Sequence, residues 1–247
     1  MKRPMPAEPI QRCENPFSVV ETETAPIHDL PELRERTGVF RDRRHAGAVL
    51  AEMLAKWRGS DAIVMAIPAG GVPVAAEIAR RLELPLDLLV VSKILLPWNS
   101  ESGFGAISAD GEIWLNEEYI RYFGLDESAI RKATDTAAKK VKRRARRFRG
   151  DRPWPDLAKR PVIVVDDGIA AGSTFRVAIS TLRNRGASEI IVAVPTAHLE
   201  SLPVIARMAD EIYCPNIRSG RRFAVAEAYQ RWHDVSEQEV EEILRKP

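Results

Sequence analysis

The stretch Val162-Ile163-Val164-Val165-Asp166-Asp167-Gly168-Ile169-Ala170-Ala171-Gly172-Ser173-Thr174 decides the fold. Its first four residues are apolar and β-branched, as a strand buried on both faces requires. From Phe175 to Arg185 the apolar spacing becomes helical, so the segment reads as strand, small-residue turn and helix. In open α/β sheets, ligands bind outside the carboxyl ends of the strands, where this turn must lie. Ala170 to Thr174 offer backbone N–H groups and two hydroxyls at a helix N-terminus, a setting suited to a phosphate dianion, and Gly172 lets the backbone come close. The carboxylates of Asp166 and Asp167 cannot grip a phosphate, but they accept hydrogen bonds from vicinal hydroxyls. Together these parts describe a site for a ribose 5-phosphate.

Working outward, the runs Ala62 to Ile67, Leu86 to Val91 and Ile190 to Val194 are also too short for helices and read as buried parallel strands. Helical spacing appears at Arg41 to Trp57, Val72 to Leu82 and Leu199 to Met208. Alternation of strand and helix predicts an α/β fold, an open and mainly parallel sheet with helices on both faces. Residues 1–37 hold six of the 17 prolines and lack sustained periodicity, so they are expected to form an extended N-terminal arm before a main domain at 38–247. The glycine-bearing stretch Pro97 to Trp114 is expected to be an irregular lid or ligand loop.

The composition is that of a globular chain: 247 residues, 45% hydrophobic and 29% charged. With 37 basic against 35 acidic residues, no global field drives the protein to nucleic acid or an anionic membrane, so an anionic ligand must be bound locally. The cysteines, Cys13 and Cys214, form neither a disulfide framework nor a CxxC metal site, and no apolar run would span a bilayer. These features point to a cytoplasmic protein. The four histidines show no ligand spacing.

The Val162–Thr174 run resembles the PRPP-binding motif of the type I phosphoribosyltransferases, in which two acidic residues follow four apolar ones and precede a small-residue phosphate loop. A second segment, Ala66-Ile67-Pro68-Ala69-Gly70-Gly71-Val72, is similar to the pyrophosphate loop of that family. Relatives often carry a basic residue where this chain has Ala69. The resemblance covers roughly Phe40 to Val240 and is closest to an uncharacterised bacterial and archaeal subgroup. It implies PRPP binding by Asp166 and Asp167 on the ribose hydroxyls and by Ala170, Ala171, Gly172, Ser173 and Thr174 on the 5-phosphate. It also implies pyrophosphate binding by Ala69, Gly70 and Gly71, with a cis Pro68–Ala69 peptide in at least one ligand state.

Lys93, just after the Leu86 to Val91 run, lies where it could neutralise a leaving pyrophosphate. The loop Leu96 to Ser108 occupies the place of the family's flexible catalytic loop, and Glu101 is its charged residue. Hypoxanthine-guanine-type members carry an acid at the position of Ala170, whereas adenine-type members draw one from the flexible loop, which would make Glu101 the proton acceptor. The segment 213–233 is similar to the small C-terminal hood of hypoxanthine-guanine-type enzymes, and Tyr213 is its candidate for stacking on an acceptor.

The expected reaction is transfer of 5-phosphoribosyl from PRPP to a small-molecule acceptor, with Mg2+ held by Asp166 and Asp167 directly or through water. A homodimer is expected. The stretch from Lys139 to Arg149 carries eight basic residues on a helix whose apolar face is Ala137, Val141, Ala145 and Phe148. Its basic face raises a second reading, a PRPP-sensing regulator that binds nucleic acid through 139–149.

Overall fold

The computed structural model of the protein describes residues 24–99 and 102–245. Its elements begin with β1 (Ile27–His28), α1 (Arg43–Met53), β2 (Ile63–Ala66), α2 (Gly71–Leu82) and β3 (Leu86–Leu88). A small meander follows, β4 (Val91–Leu95), β5 (Gly103–Ser108) and β6 (Ile113–Leu115), then the helices α3 (Glu117–Phe123) and α4 (Glu127–Arg149). The second half runs β7 (Pro161–Val165), α5 (Ser173–Asn184), β8 (Glu189–Ala193), β9 (Thr196–His198), α6 (Leu202–Ala206), β10 (Glu211–Tyr213), β11 (Asn216–Arg218) and α7 (Glu237–Arg245).

The central sheet has six strands in the order β1-β10-β8-β7-β2-β3, and every pair in it is parallel. Period-two alternation divides each central strand between two cores. Ile163 and Val165 of β7, with Val64 and Ala66 of β2, face a core built with α1, α2, α4 and α7. Val162 and Val164, with Ile63 and Met65, face the core under α5 and α6. Both faces are therefore covered, which is why these strands read as unbroken apolar runs.

β2 leads outward to β3, and β7 leads outward the other way to β8 and β10. The switch point of the topology lies between β2 and β7, so the loops after these two strands emerge side by side at the carboxyl edge. In-register pairs such as Met65 with Val164 hold them there.

Three regions differ from expectation. The strand read as Leu86 to Val91 is two strands: the chain leaves the central sheet after Leu88 and enters the antiparallel meander at Val91. The last six residues of the stretch expected as a loop from Leu96 to Ser108 are β5, paired with β4 and β6. Gly103 and Gly105 leave gaps in the side-chain alternation that would otherwise have announced it. Within the expected N-terminal arm, Ile27 and His28 pair with Ile212 and Tyr213 and form the edge strand of the main sheet.

The basic stretch is helical, as its spacing predicts, and four of its eight cations are engaged within the protein. Arg143, Arg144 and Arg147 converge on Glu237 of α7, and Arg147 also reaches Glu241. Arg149 is buried, 2.6 Å from Asp87. The Arg143 guanidinium, supported by Arg144 and Arg147, holds the Glu237 carboxyl at about 2, below its ordinary 4.5. A carboxyl depressed in the folded state stabilises fully above its unfolded value and loses that contribution as pH falls through the folded one. Amide exchange should therefore show α7 less protected in Glu237→Gln than in the parent at neutral pH, with the difference vanishing as pH falls from about 4.5 to below 2. Equal protection at pH 7 would show that the apolar face alone, through Val240, docks the helix.

Candidate functional site

The loops after β2 and β7 touch through their backbones. A Cβ added at Gly70 would lie 2.0 Å from Asp167 Oδ2, and one at Gly71 would lie 2.6 Å from the Val165 carbonyl oxygen. The two glycines are thus required by the approach of the Asp166–Asp167 turn to α2. The Ile67 amide donates to the Val165 carbonyl at 2.8 Å and fixes that approach. The Pro68–Ala69 peptide is cis.

Asp167 is clamped from the other side. Arg43, in the first turn of α1, donates to its Oδ2 through Nε at 3.0 Å and stands 2.9 Å away through Nη2. The guanidinium also donates to the His233 carbonyl at 2.8 Å and lies 3.8 Å from the centre of the Trp232 ring. The Tyr229 hydroxyl donates to the Asp167 carbonyl at 2.7 Å. Burial, together with the neighbouring Asp167 charge, pushes the Asp166 carboxyl well above the usual range. Burial raises Asp167 as well, but Arg43 opposes the shift. Among the described residues the pair thus consists of one carboxylate neutralised by Arg43 and one without a cation in direct contact, a poor resting place for two charges and a good one for hydroxyl donors or a cation.

The turn beyond the acids is anchored at one end. The Ile169 amide donates to the Thr196 carbonyl at 2.9 Å, and the His198 amide donates to the Ile169 carbonyl at 2.8 Å, which ties the turn to β9. Gly172, at φ +75, starts α5 from the left-handed region. Among the described residues, the amides from Ala170 to Thr174 donate to no protein acceptor. A run of unpartnered donors at a helix N-terminus suits an oxyanion. The amides of Ala69 and Gly70 are likewise without an acceptor among the described residues, whereas Gly71 donates to Ile67.

The phosphoribosyl transferase domain model matches residues 42–230. The chain belongs to this family. The Mycobacterium tuberculosis protein Rv0571c, provisionally named a phosphoribosyl transferase, is 38% identical over 206 residues, which cover 83% of this chain and 46% of that protein. The chain thus spans about half the length of the curated relatives it matches. The crystal structure of TT1426 from Thermus thermophilus superposes with a TM-score of 0.67 at 37% identity, covering 83% of this chain and 97% of that one.

On this phosphoribosyltransferase fold, the residues singled out in the sequence fall unevenly. Asp166, Asp167, Gly70, Gly71 and the turn from Ala170 to Thr174 come together at the switch point. Lys93 sits within β4, paired with Ala106, and not just beyond a strand of the main sheet; its charge nevertheless reaches Asp166. Glu101 lies outside the described residues. The stacking role expected of Tyr213 is corrected: its ring is 4% exposed and stacks on His28 at 4.4 Å, and its hydroxyl donates to Glu211 at 2.7 Å. β10 points this side chain into the core beside Glu211, with no open face for a ligand. Among the described residues, no three acids, histidines or cysteines group as a metal cage.

Arg43 escaped the sequence reading. One signal was available, because cations in a first helical turn oppose the helix dipole and so need another reason to be there. Removing Arg43 leaves a buried carboxylate without its cation, which costs about 3–5 kcal/mol. Urea denaturation at neutral pH should show Arg43→Met destabilised on that scale and Arg43→Met/Asp167→Asn substantially restored. Two variants of equal stability would mean that the guanidinium matters for its packing on Trp232 and not for its charge.

Proposed function

We propose that the protein transfers a 5-phosphoribosyl group from PRPP to a small-molecule acceptor, releasing pyrophosphate with inversion at the anomeric carbon. The observation that carries this reading is the meeting, at one switch point, of the acid pair, the two glycines and the free amides from Ala170 to Thr174. The amides and the Ser173 and Thr174 hydroxyls take the 5-phosphate, and the carboxylates accept from the ribose hydroxyls. Cleavage builds positive charge on the ribose and negative charge on the leaving group, so the chain works by positioning and by placed charge, without a covalent intermediate. Asp167, oriented by Arg43 and Tyr229, fixes one side of the ribose. Among the described residues no cation is in direct contact with Asp166, which leaves this carboxyl to serve the ligand.

Mg2+ fits the chemistry of this donor set, since both acids offer hard oxygens in a half-buried position. Asp166 and Asp167 would hold it with oxygens of the substrate completing its shell, and when bound it supplies charge neutralisation to the pyrophosphate. Glu101 is assigned the proton taken from an acceptor N–H, and Lys93 part of the leaving charge. The regulator reading loses ground because Arg143, Arg144, Arg147 and Arg149 are engaged within the protein.

Calorimetry with Mg2+ and PRPP should show Asp166→Asn/Asp167→Asn binding at least ten-fold more weakly than the parent with the fold intact; unchanged affinity would refute the assignment. Once an acceptor that loses N–H is identified, Glu101→Gln should slow single-turnover transfer far more than it weakens PRPP binding. A rate equal to the parent's at every pH would remove the base from the reaction.

A further inference from the structure

Beside the site, a cleft of about 550 Å3 opens between β4, Leu96 and Pro97, and the first half of α4. Half of its lining residues are apolar, and three are lysines: Lys93 from β4, and Lys132 and Lys140 from α4. Lys132, Thr136 and Lys140 are four residues apart and form one stripe along the helix, so both lysines address the same space. Among the described residues, none of the three lysines has a carboxylate within ion-pair distance. Among the described residues one acid lines the cleft, Asp126, and its side chain accepts from the Ala129 amide at 2.7 Å as the N-cap of α4. Glu237, whose charge acts on Lys140, is itself paired with Arg143, Arg144 and Arg147. Burial and the charges of Arg144 and Arg143 depress the Lys140 ammonium. Three lysines thus line one cleft with no ion-paired carboxylate among the described residues, a setting that suits a multivalent anion.

Lys93 links the cleft to the acid pair, because its charge acts on Asp166 while its side chain lines the cleft. The Ala69-Gly70-Gly71 loop carries no charge of its own, and Arg43 is committed to Asp167. We propose that the cleft of Lys93, Lys132 and Lys140 is a polyphosphate-binding site, with α4 supplying the cations that the glycine loop lacks. Two sources share this chemistry, the pyrophosphate end of the donor and a separate polyphosphate-bearing effector. The inference rests on the transferase reading only for the first of these.

The test is calorimetric titration of the full chain with inorganic pyrophosphate and, separately, with ribose 5-phosphate. Lys132→Ala/Lys140→Ala should bind pyrophosphate at least ten-fold more weakly than the parent, while ribose 5-phosphate affinity stays within two-fold; Lys132→Arg/Lys140→Arg should restore pyrophosphate binding. If the alanine pair binds pyrophosphate as tightly as the parent, the proposal is overturned. Saturating PRPP sorts the sources: loss of pyrophosphate binding assigns the cleft to the donor, and retained binding assigns it to an effector. Failure of ribose 5-phosphate to bind the parent would instead strike the transferase reading and leave the cleft's preference measurable.

Discussion

Everything at the carboxyl edge of the sheet depends on how closely two backbones pass. With a Cβ at position 71 only 2.6 Å from the Val165 carbonyl oxygen and 2.7 Å from Asp166 Cα, no residue larger than glycine there keeps both loops where they are. That proximity follows from strand order, because β2 and β7 are neighbours whose onward connections run in opposite directions. The topology creates the crevice, and the glycines let it close tightly enough for acids on one loop and free amides on the other to face one ligand.

Electrostatics adds a second layer. Two adjacent carboxylates, largely withdrawn from water, would lose charge if left alone. Arg43 reaches across from α1 and is held in turn by the His233 carbonyl and the Trp232 ring, so residues far apart in the chain converge on one oxygen of Asp167. The acids are consequently unequal: one is structural in its pairing and the other is exposed to whatever binds.

The central strands, the helices between them and the acid-to-hydroxyl turn were legible because their signals are local: four apolar residues, two acids, small residues, then helical spacing. The meander was not, since Gly103 and Gly105 erase the alternation on which a strand is recognised. Leu86 to Val91 is apolar apart from Asp87, and nothing in its last four residues marks where the chain passes from one sheet to another. Tyr213 was misjudged for a related reason. Aromatic character is visible in sequence, but the face of β10 from which the ring projects is set by register with Ile27 and His28. Arg43 and the α4–α7 ion pairs belong to contacts nearly 100 or more residues apart, beyond the reach of any pattern window.

The family model begins at residue 42, yet the sheet begins at Ile27. The short β1 strand lies along β10 and occupies hydrogen-bonding groups that would otherwise form the open border of a parallel sheet. Open borders of this kind recruit strands from other molecules. A version of the protein trimmed to the family boundary would keep every residue of the candidate site and lose the cover on β10. It would also lose Phe40, which is fully buried against Tyr229, so self-association along that edge and a loosened Tyr229 contact with Asp167 would arise together.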